Sequence, residues 1–177
     1  LMAIGVVGIV LSVLNSTGLP LRLANSVEVL MEHSLFIALV VAGVTAIIFG
    51  MGMPTLPAYL TIILILGPTM LNLGLDILVA HMFVFYFGVS SSITPPVAIC
   101  SLIGSNIAGA NFTKTAFIGM RLGLPGFLLP YLFIAHTEIL GLDTSFIPQL
   151  LIAAAALIAV VSLNLAMEGY FLAPMAA

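Results

Sequence analysis

The sequence has no tryptophan, a single cysteine, and only three basic and six acidic residues among 177. So few charges cannot cover a water-soluble surface, and a net charge of −3 offers no basic face to nucleic acid. The lone Cys100 excludes a disulfide framework and a thiolate metal cluster. The histidines at positions 33, 81 and 136 have no metal-ligand spacing among them, so no transition-metal site is expected.

Hydrophobic residues dominate instead, at 63% of the chain with a mean hydropathy of +1.37. Apolar stretches of bilayer-spanning length recur, and helices are favoured because backbone within lipid must hydrogen-bond to itself. The ten-residue alternation of a membrane β-barrel does not occur. The sequence therefore predicts an all-α, multi-pass membrane protein. It begins at Leu1 with neither a basic segment nor a cleavage site, so we expect a fragment of a longer polypeptide.

Apolar runs, prolines, glycines and polar turns divide the single membrane domain, residues 1–177, into seven predicted segments. They are the end of a transmembrane helix at 1–14, an amphipathic arm at 20–33, a hairpin at 34–70 with its tip at 50–55, a discontinuous helix at 77–105 broken at 90–96, a second amphipathic arm at 112–122, and transmembrane helices at 124–136 and 146–167.

The hairpin prediction depends on "GMGMPT" at residues 50–55, which places two glycines and a proline inside the uncharged stretch 34–75. A straight helix over residues 34–70 would be roughly 55 Å long, against a hydrocarbon core of about 30 Å. Either two full spans meet at this motif, or it is the tip of a re-entrant hairpin. A turn that reached water would be more polar, so the re-entrant hairpin is favoured, with a tip that is buried in protein or lines a cavity.

The second interruption is "SSSITPP" at residues 90–96. The residue before a proline avoids the α region, so Thr94, Pro95 and Pro96 are predicted to unwind the chain. The helix is expected to resume with Pro95 and Pro96 in its first turn. Residues 77–105 are thus predicted to form one discontinuous helix.

A helix broken inside a membrane exposes carbonyls that suit a cation at one end and N–H groups that suit an anion at the other. Hydroxyl groups near the two breaks belong to Thr55, Ser90, Ser91, Ser92 and Thr94. Residues 34–75 and 77–113 hold no Asp, Glu, Lys or Arg. His81 is therefore the only candidate proton carrier there, and we expect it instead to be packed and hydrogen-bonded. The pattern favours Na⁺ coupling, and the helix starts after Thr55 and Pro96 are candidates to face a carboxylate.

Two interpretations in which the protein is not a transporter compete with this one. A single break can be an ordinary kink, which would fit a purely structural membrane subunit. An intramembrane serine hydrolase would use one of residues 90–92 with His81 as the base. On a continuous helix these residues would lie about 13–17 Å apart, too far for the hydrogen bond such a pair needs. A transport site is favoured because paired discontinuous segments are the best sequence sign of one.

Two stretches resemble a known family: "FGMGMPTLPAYL" at residues 49–60 and "AHMFVFYFGVSSSITPPVAICSLIGSNIAGANFTKTAFIGMRLGLPGFLLPYLF" at residues 80–133. They resemble the large, DctM-like permease of tripartite ATP-independent periplasmic (TRAP) transporters. Within that family they look most like the fused permeases that work with TAXI-type solute-binding proteins. The resemblance implies that this chain is the C-terminal repeat, with the N-terminal repeat and the small-subunit equivalent missing.

The resemblance also implies an activity and a site. The family is built from inverted repeats and works as an elevator, in which Na⁺ drives the import of an organic acid delivered by a periplasmic binding protein. It implies no enzyme activity and no cofactor besides the coupling ion. The implied Na⁺ and substrate site comprises Gly50, Gly52, Pro54 and Thr55 at the hairpin tip, and Ser91, Ser92, Thr94, Pro95 and Pro96 in the facing unwound segment. The nearest alternative within transport is a single-component Na⁺/carboxylate symporter.

The resemblance implies a bacterial or archaeal inner membrane, and the charges suggest an orientation in it. If the hairpin returns to its own side, Lys114 and Arg121 on the second predicted arm share one face of the membrane, and Arg22 lies on the other. Basic residues concentrate in cytoplasmic loops, so the second arm is expected to face the cytoplasm and the hairpin to open to the periplasm.

Overall fold

The computed structural model describes residues 34–142, 146–171 and 173–174. It also describes isolated earlier positions, which are 9, 12, 13, 16–19, 22, 25, 26 and 29. The predicted transmembrane helix end at 1–14 and the predicted first arm at 20–33 therefore lie outside the continuously described residues.

Helices dominate the described residues. In chain order they are α1 (Leu35–Gly50), α2 (Thr55–Asn72), α3 (Ile77–Ser90), α4 (Ile99–Ala108), α5 (Phe112–Gly123), α6 (Leu129–Ala135) and α7 (Phe146–Glu168). Short 3-10 helices lie at Ser91–Ile93, Leu124–Leu128 and Thr137–Leu140, and β1 (Tyr170–Phe171) pairs antiparallel with β2 (Ala173–Pro174). The predicted all-α class is confirmed, because the β pair has only two residues on each side.

The chain forms two compact units, residues 1–92 and 93–177. In the first unit, α1, α2 and α3 all pack on one another. Small residues of α1 make this packing close, and its fully buried alanines are Ala38, Ala42 and Ala46. A Cβ placed on Gly43 would lie 2.7 Å from the ring of Phe87, so α3 packs directly on the backbone of α1. Larger side chains fill the rest of this core, among them Ile62, Leu66, Phe83 and Val84.

The turn between α2 and α3 sets the direction of α3. The carboxylate of Asp76 accepts a hydrogen bond of 2.8 Å from the N–H of Leu78 and caps the start of α3. A short turn followed by packing against α2 means that α3 runs back along the hairpin. The C-terminal end of α3 therefore lies beside the turn that joins α1 to α2.

The second unit contains a long helical stretch, Phe112–Ala135, in which α5 continues through a 3-10 helix into α6. Pro125 does not stop it, because it stands at the start of the 3-10 helix, where a missing N–H is tolerated. The sequence prediction separates an arm at 112–122 from a span at 124–136. The structure joins the two, and the interfacial position of the arm stays a prediction.

Three helical stretches among the described residues are long and apolar enough to cross a membrane. They are Thr55–Asn72, Phe112–Ala135 and Phe146–Glu168. The last of them is α7, at the position of the predicted span 146–167, and none of its residues is buried. An apolar helix with no buried residue is typical of a membrane span, because lipid covers the surface that its own chain leaves exposed.

Candidate functional site

The first interruption lies at the predicted motif, because α1 ends at Gly50 and α2 begins at Thr55. Gly52 has a φ of +79°, a left-handed conformation that glycine adopts without strain. The N–H of Met53 donates a 3.3 Å hydrogen bond to the carbonyl of Gly50. Pro54 precedes the first residue of α2 and offers no side-chain cap. The tip is thus a short turn built from backbone groups.

The second interruption also lies at its predicted place. α3 ends at Ser90, a 3-10 helix covers Ser91–Ile93, and α4 begins only at Ile99. The sequence predicts a break over residues 90–96, and the observed one continues to Ala98, which has a left-handed φ of +36°.

The expectation that Pro95 and Pro96 start the second half-helix is wrong. The peptide between them is cis, and the N–H of Ala98 donates a 3.1 Å hydrogen bond to the carbonyl of Thr94. This bond closes a turn around the two prolines, and the left-handed Ala98 ends that turn. Helical geometry therefore resumes at Ile99, after both prolines.

The hairpin tip touches the end of α3 inside the first unit. A Cβ placed on Gly50 would lie 2.8 Å from the Cβ of Ser91 and closer still to its Oγ. Ser91 is 1% exposed, and its hydroxyl donates a 2.6 Å hydrogen bond to the carbonyl of Gly88. Any side chain at position 50 would displace Ser91, so the glycine permits the first interruption to meet the start of the second.

A second close approach lies on the other arm of the hairpin. A Cβ placed on Gly88 would lie 3.7 Å from the backbone N and Cα of Tyr59, so the first turns of α2 lie against the last turn of α3. Sequence reasoning did not assign a role to Gly88 or Tyr59. The packing of α1 on α3, by contrast, has a sequence signal in the seven-residue spacing of Gly43 and Gly50, which places both on the face of α1 that packs on α3.

The predicted site residues are divided between the two units. In the first unit are Gly50, Gly52, Pro54, Thr55, Ser91 and Ser92, and in the second are Thr94, Pro95 and Pro96. Within the first unit, Gly50 and Ser91 are in contact and buried, whereas Gly52, Pro54 and Thr55 are exposed. Thr94 is buried, at 6% exposure.

The polar groups at the two breaks are all neutral. Residues 34–75 and 77–113 are fully described and contain no Asp, Glu, Lys or Arg. The Ser91 hydroxyl donates its proton to a backbone carbonyl, so the lone pairs of its oxygen can coordinate a cation. The residues that precede α2 and α4 are Pro54 and Ala98, and neither caps its helix with a side chain. The start of each helix therefore has no cap from the side chain of the residue before it, and a helix N-terminus carries partial positive charge.

The geometry argues against a serine hydrolase. α3 is an uninterrupted helix from Ile77 to Ser90, so His81 lies about 13–15 Å along the helix axis from Ser90 and Ser91. The Nδ1 atom of His81 is hydrogen-bonded to Tyr59, and the Ser91 hydroxyl donates to a backbone carbonyl. A nucleophile needs a base within hydrogen-bond reach, which this serine does not have.

These features define an all-helical, multi-pass membrane protein with two interrupted segments, the class in which transport sites are built from broken helices. The chain belongs to the family described as the tripartite ATP-independent periplasmic transporter, DctM component, which it matches over residues 1–166. Searches of curated proteins and of solved structures find no match.

Membership of this family establishes the role of a TRAP transporter permease in a membrane, and the family is one of transporters rather than enzymes. It also implies partners, namely a periplasmic binding protein and a small membrane subunit. The predicted resemblance to the DctM-like large permease is therefore confirmed at the level of the family. The TAXI-type subfamily stays a prediction.

Proposed function

We propose that this chain is the C-terminal repeat of a Na⁺-coupled permease that imports an organic acid delivered by a periplasmic solute-binding protein. The observation that carries the proposal is the contact of Gly50 at the hairpin tip with Ser91 at the break after α3. Within the first unit this contact brings the carbonyls at the end of α1 close to the Ser91 hydroxyl, and broken helices of this kind supply the polar groups of a transport site.

Na⁺ is the proposed coupling ion because the polar lining is uncharged. A hard cation binds oxygen ligands, and carbonyls at the end of α1 together with the Ser91 hydroxyl supply them without a carboxylate. A proton carrier needs an ionisable group, and the one histidine of the first unit's described helices, His81, is already hydrogen-bonded to Tyr59. In the proposed site Gly50, Gly52, Pro54, Thr55, Ser91, Ser92, Thr94, Pro95 and Pro96 bind Na⁺ and line part of the substrate pocket.

An organic acid is the proposed substrate class because the helix starts can bind an anion. The uncapped N-termini of α2 and α4 carry partial positive charge where no arginine or lysine lies within residues 34–113. A carboxylate would be held by N–H groups instead of by a basic side chain. The proposal further places the protein in a bacterial or archaeal inner membrane, as a TAXI-type permease whose mobile domain moves by an elevator mechanism.

The test is uptake by the full-length permease, reconstituted into liposomes together with its binding protein and a labelled organic acid. Uptake is expected to follow an imposed Na⁺ gradient and to survive collapse of the proton gradient at fixed membrane potential. Uptake that needs only protons would refute the assigned ion.

A matched arm of the same experiment omits the binding protein. The proposal expects uptake to fall to the level of empty liposomes. Uptake that continues without the binding protein would instead identify a single-component symporter, while leaving the Na⁺ assignment intact.

A further inference from the structure

The outward face of α5 combines exposed apolar and basic side chains. Phe117, Ile118 and Leu122 are 61%, 55% and 49% exposed. Lys114 and Arg121 are exposed as well, and they lie on the same face because spacings of three, four and seven residues superimpose on a helix. We call these five residues the α5 face.

The position of the α5 face relative to the bilayer follows from α7. That helix has 23 residues and is therefore about 34 Å long, close to the roughly 30 Å of a hydrocarbon core. Its last residue, Glu168, therefore lies at a membrane boundary. Nε of Arg121 lies 3.3 Å from Oε1 of Glu168, so Arg121 lies at the same boundary.

Lys114 lies on the polar side of that boundary. The candidate span Phe112–Ala135 begins two residues before Lys114, at the end of the stretch away from Ala135. Lys114 is seven residues before Arg121, which is about 10 Å along α5 in the direction away from Ala135. The ammonium group is therefore in the headgroup layer, where lipid phosphates lie.

The charges of the α5 face favour an anion. Glu168 neutralises Arg121, whereas no carboxylate of the described residues lies within ion-pair distance of Lys114. Among the described residues, Lys114 is thus a positive charge without a carboxylate partner, and together with exposed Phe117 and Ile118 it is complementary to a lipid that has both a negative headgroup and acyl chains. A basic amphipathic helix of this kind is typical of a membrane-surface contact.

We infer that the α5 face binds an anionic phospholipid, with the phosphate at Lys114 and the acyl chains beside Phe117 and Ile118. This contact lies in the second unit and does not depend on the proposed ion or substrate. Anionic lipids are abundant in cytoplasmic leaflets, the side on which the basic residues place α5.

The test measures lipid binding to the purified full-length permease by native mass spectrometry. The probes are dioleoyl phosphatidylglycerol, which is anionic, and dioleoyl phosphatidylcholine, which is zwitterionic. The wild-type protein is expected to prefer phosphatidylglycerol, and Lys114→Gln should reduce this preference about fivefold, as expected for one basic residue near a charged surface. Lys114→Arg should retain it. Glycerol phosphate, which has the charge but no acyl chains, should not compete.

Substitutions of exposed apolar residues distinguish lipid binding at the α5 face from nonspecific binding of lipid to the detergent-solubilised protein. Phe117→Ser should weaken the binding of both lipids, whereas Ile107→Ser, at an 84% exposed position of α4 outside the α5 face, should change neither. The proposal is overturned if Lys114→Gln keeps the wild-type preference, or if Ile107→Ser weakens binding as much as Phe117→Ser. It is also overturned if the permease that contains its small subunit, fused or separate, binds no lipid in a Lys114-dependent manner, which would show that a protein covers this face.

Discussion

The hydroxyl of Tyr59 lies 2.5 Å from Nδ1 of His81, which joins the second arm of the hairpin to α3. Tyr59 is four residues after the hairpin tip, and its ring also meets that of Phe85 edge to face, with centroids 6.0 Å apart. The pair therefore ties the tip-proximal turn of α2 to the middle of α3. The expectation that His81 is packed and hydrogen-bonded is confirmed.

Removing this hydrogen bond should weaken the first unit. Tyr59→Phe leaves Nδ1 of His81 without its partner, and a loss of about 1–3 kcal/mol in unfolding free energy is expected for a part-buried polar group. Thermal unfolding of the full-length permease in detergent measures it. In a double-mutant cycle with His81→Asn, the second substitution should add little. Additive losses would show that the two side chains act independently.

Gly50→Ala should disturb the contact between the hairpin tip and α3. The added methyl group would overlap Ser91, and overpacking of this kind costs about 1–3 kcal/mol. We expect lower thermal stability and a higher Na⁺ concentration for half-maximal uptake. Gly104→Ala is the matched control, because a Cβ there meets nothing within 4 Å. Equal effects of the two substitutions would contradict the importance of the contact.

Ser91→Ala should lower the apparent Na⁺ affinity, because the proposed site uses its hydroxyl oxygen as a ligand. A single lost ligand of this type is expected to raise the half-saturating Na⁺ concentration about fivefold or more, which corresponds to roughly 1 kcal/mol or more. Ser105→Ala is a close control, since Ser105 is also buried and also donates to the carbonyl three residues earlier, at 2.9 Å. Sodium-dependent uptake at saturating substrate distinguishes the two. An unchanged Na⁺ dependence in Ser91→Ala would move the ion elsewhere.

The ion pair of Arg121 and Glu168 should contribute little to stability. The two side chains are 51% and 36% exposed, so solvent screens them, and pairs of this kind are worth about 0.2–1 kcal/mol. Glu168→Gln and Arg121→Gln should each reduce the unfolding free energy by this amount, and the double variant by no more. The difference should shrink at high salt, measured by thermal unfolding. A loss well above this range would show that the pair is shielded from solvent.

Local chemistry made the two interruptions predictable. The glycines and the proline at residues 50–55 and the two prolines at 95–96 disfavour a continuous helix wherever they occur. The observed helices end at or close to these residues. The all-α class was predictable for a similar reason, because a long apolar run in lipid can satisfy its backbone only as a helix.

Details that depend on several residues at once were less predictable. The start of α4 at Ile99 follows from a turn closed by Thr94 and Ala98, which the proline rule alone does not reveal. The continuity of α5 with α6 follows from Pro125 standing where a 3-10 helix tolerates it. Each of these outcomes depends on the conformation of the neighbouring turn.

By itself, the sequence determined a membrane protein with uncharged breaks in two of its helical segments, because composition and backbone restriction act locally. Only the tertiary structure decided that Gly50 meets Ser91 and that Tyr59 meets His81. Contacts between residues so far apart in the chain arise when three helices pack together. Which small residue lies against which neighbouring side chain depends on how each helix is positioned and rotated about its axis.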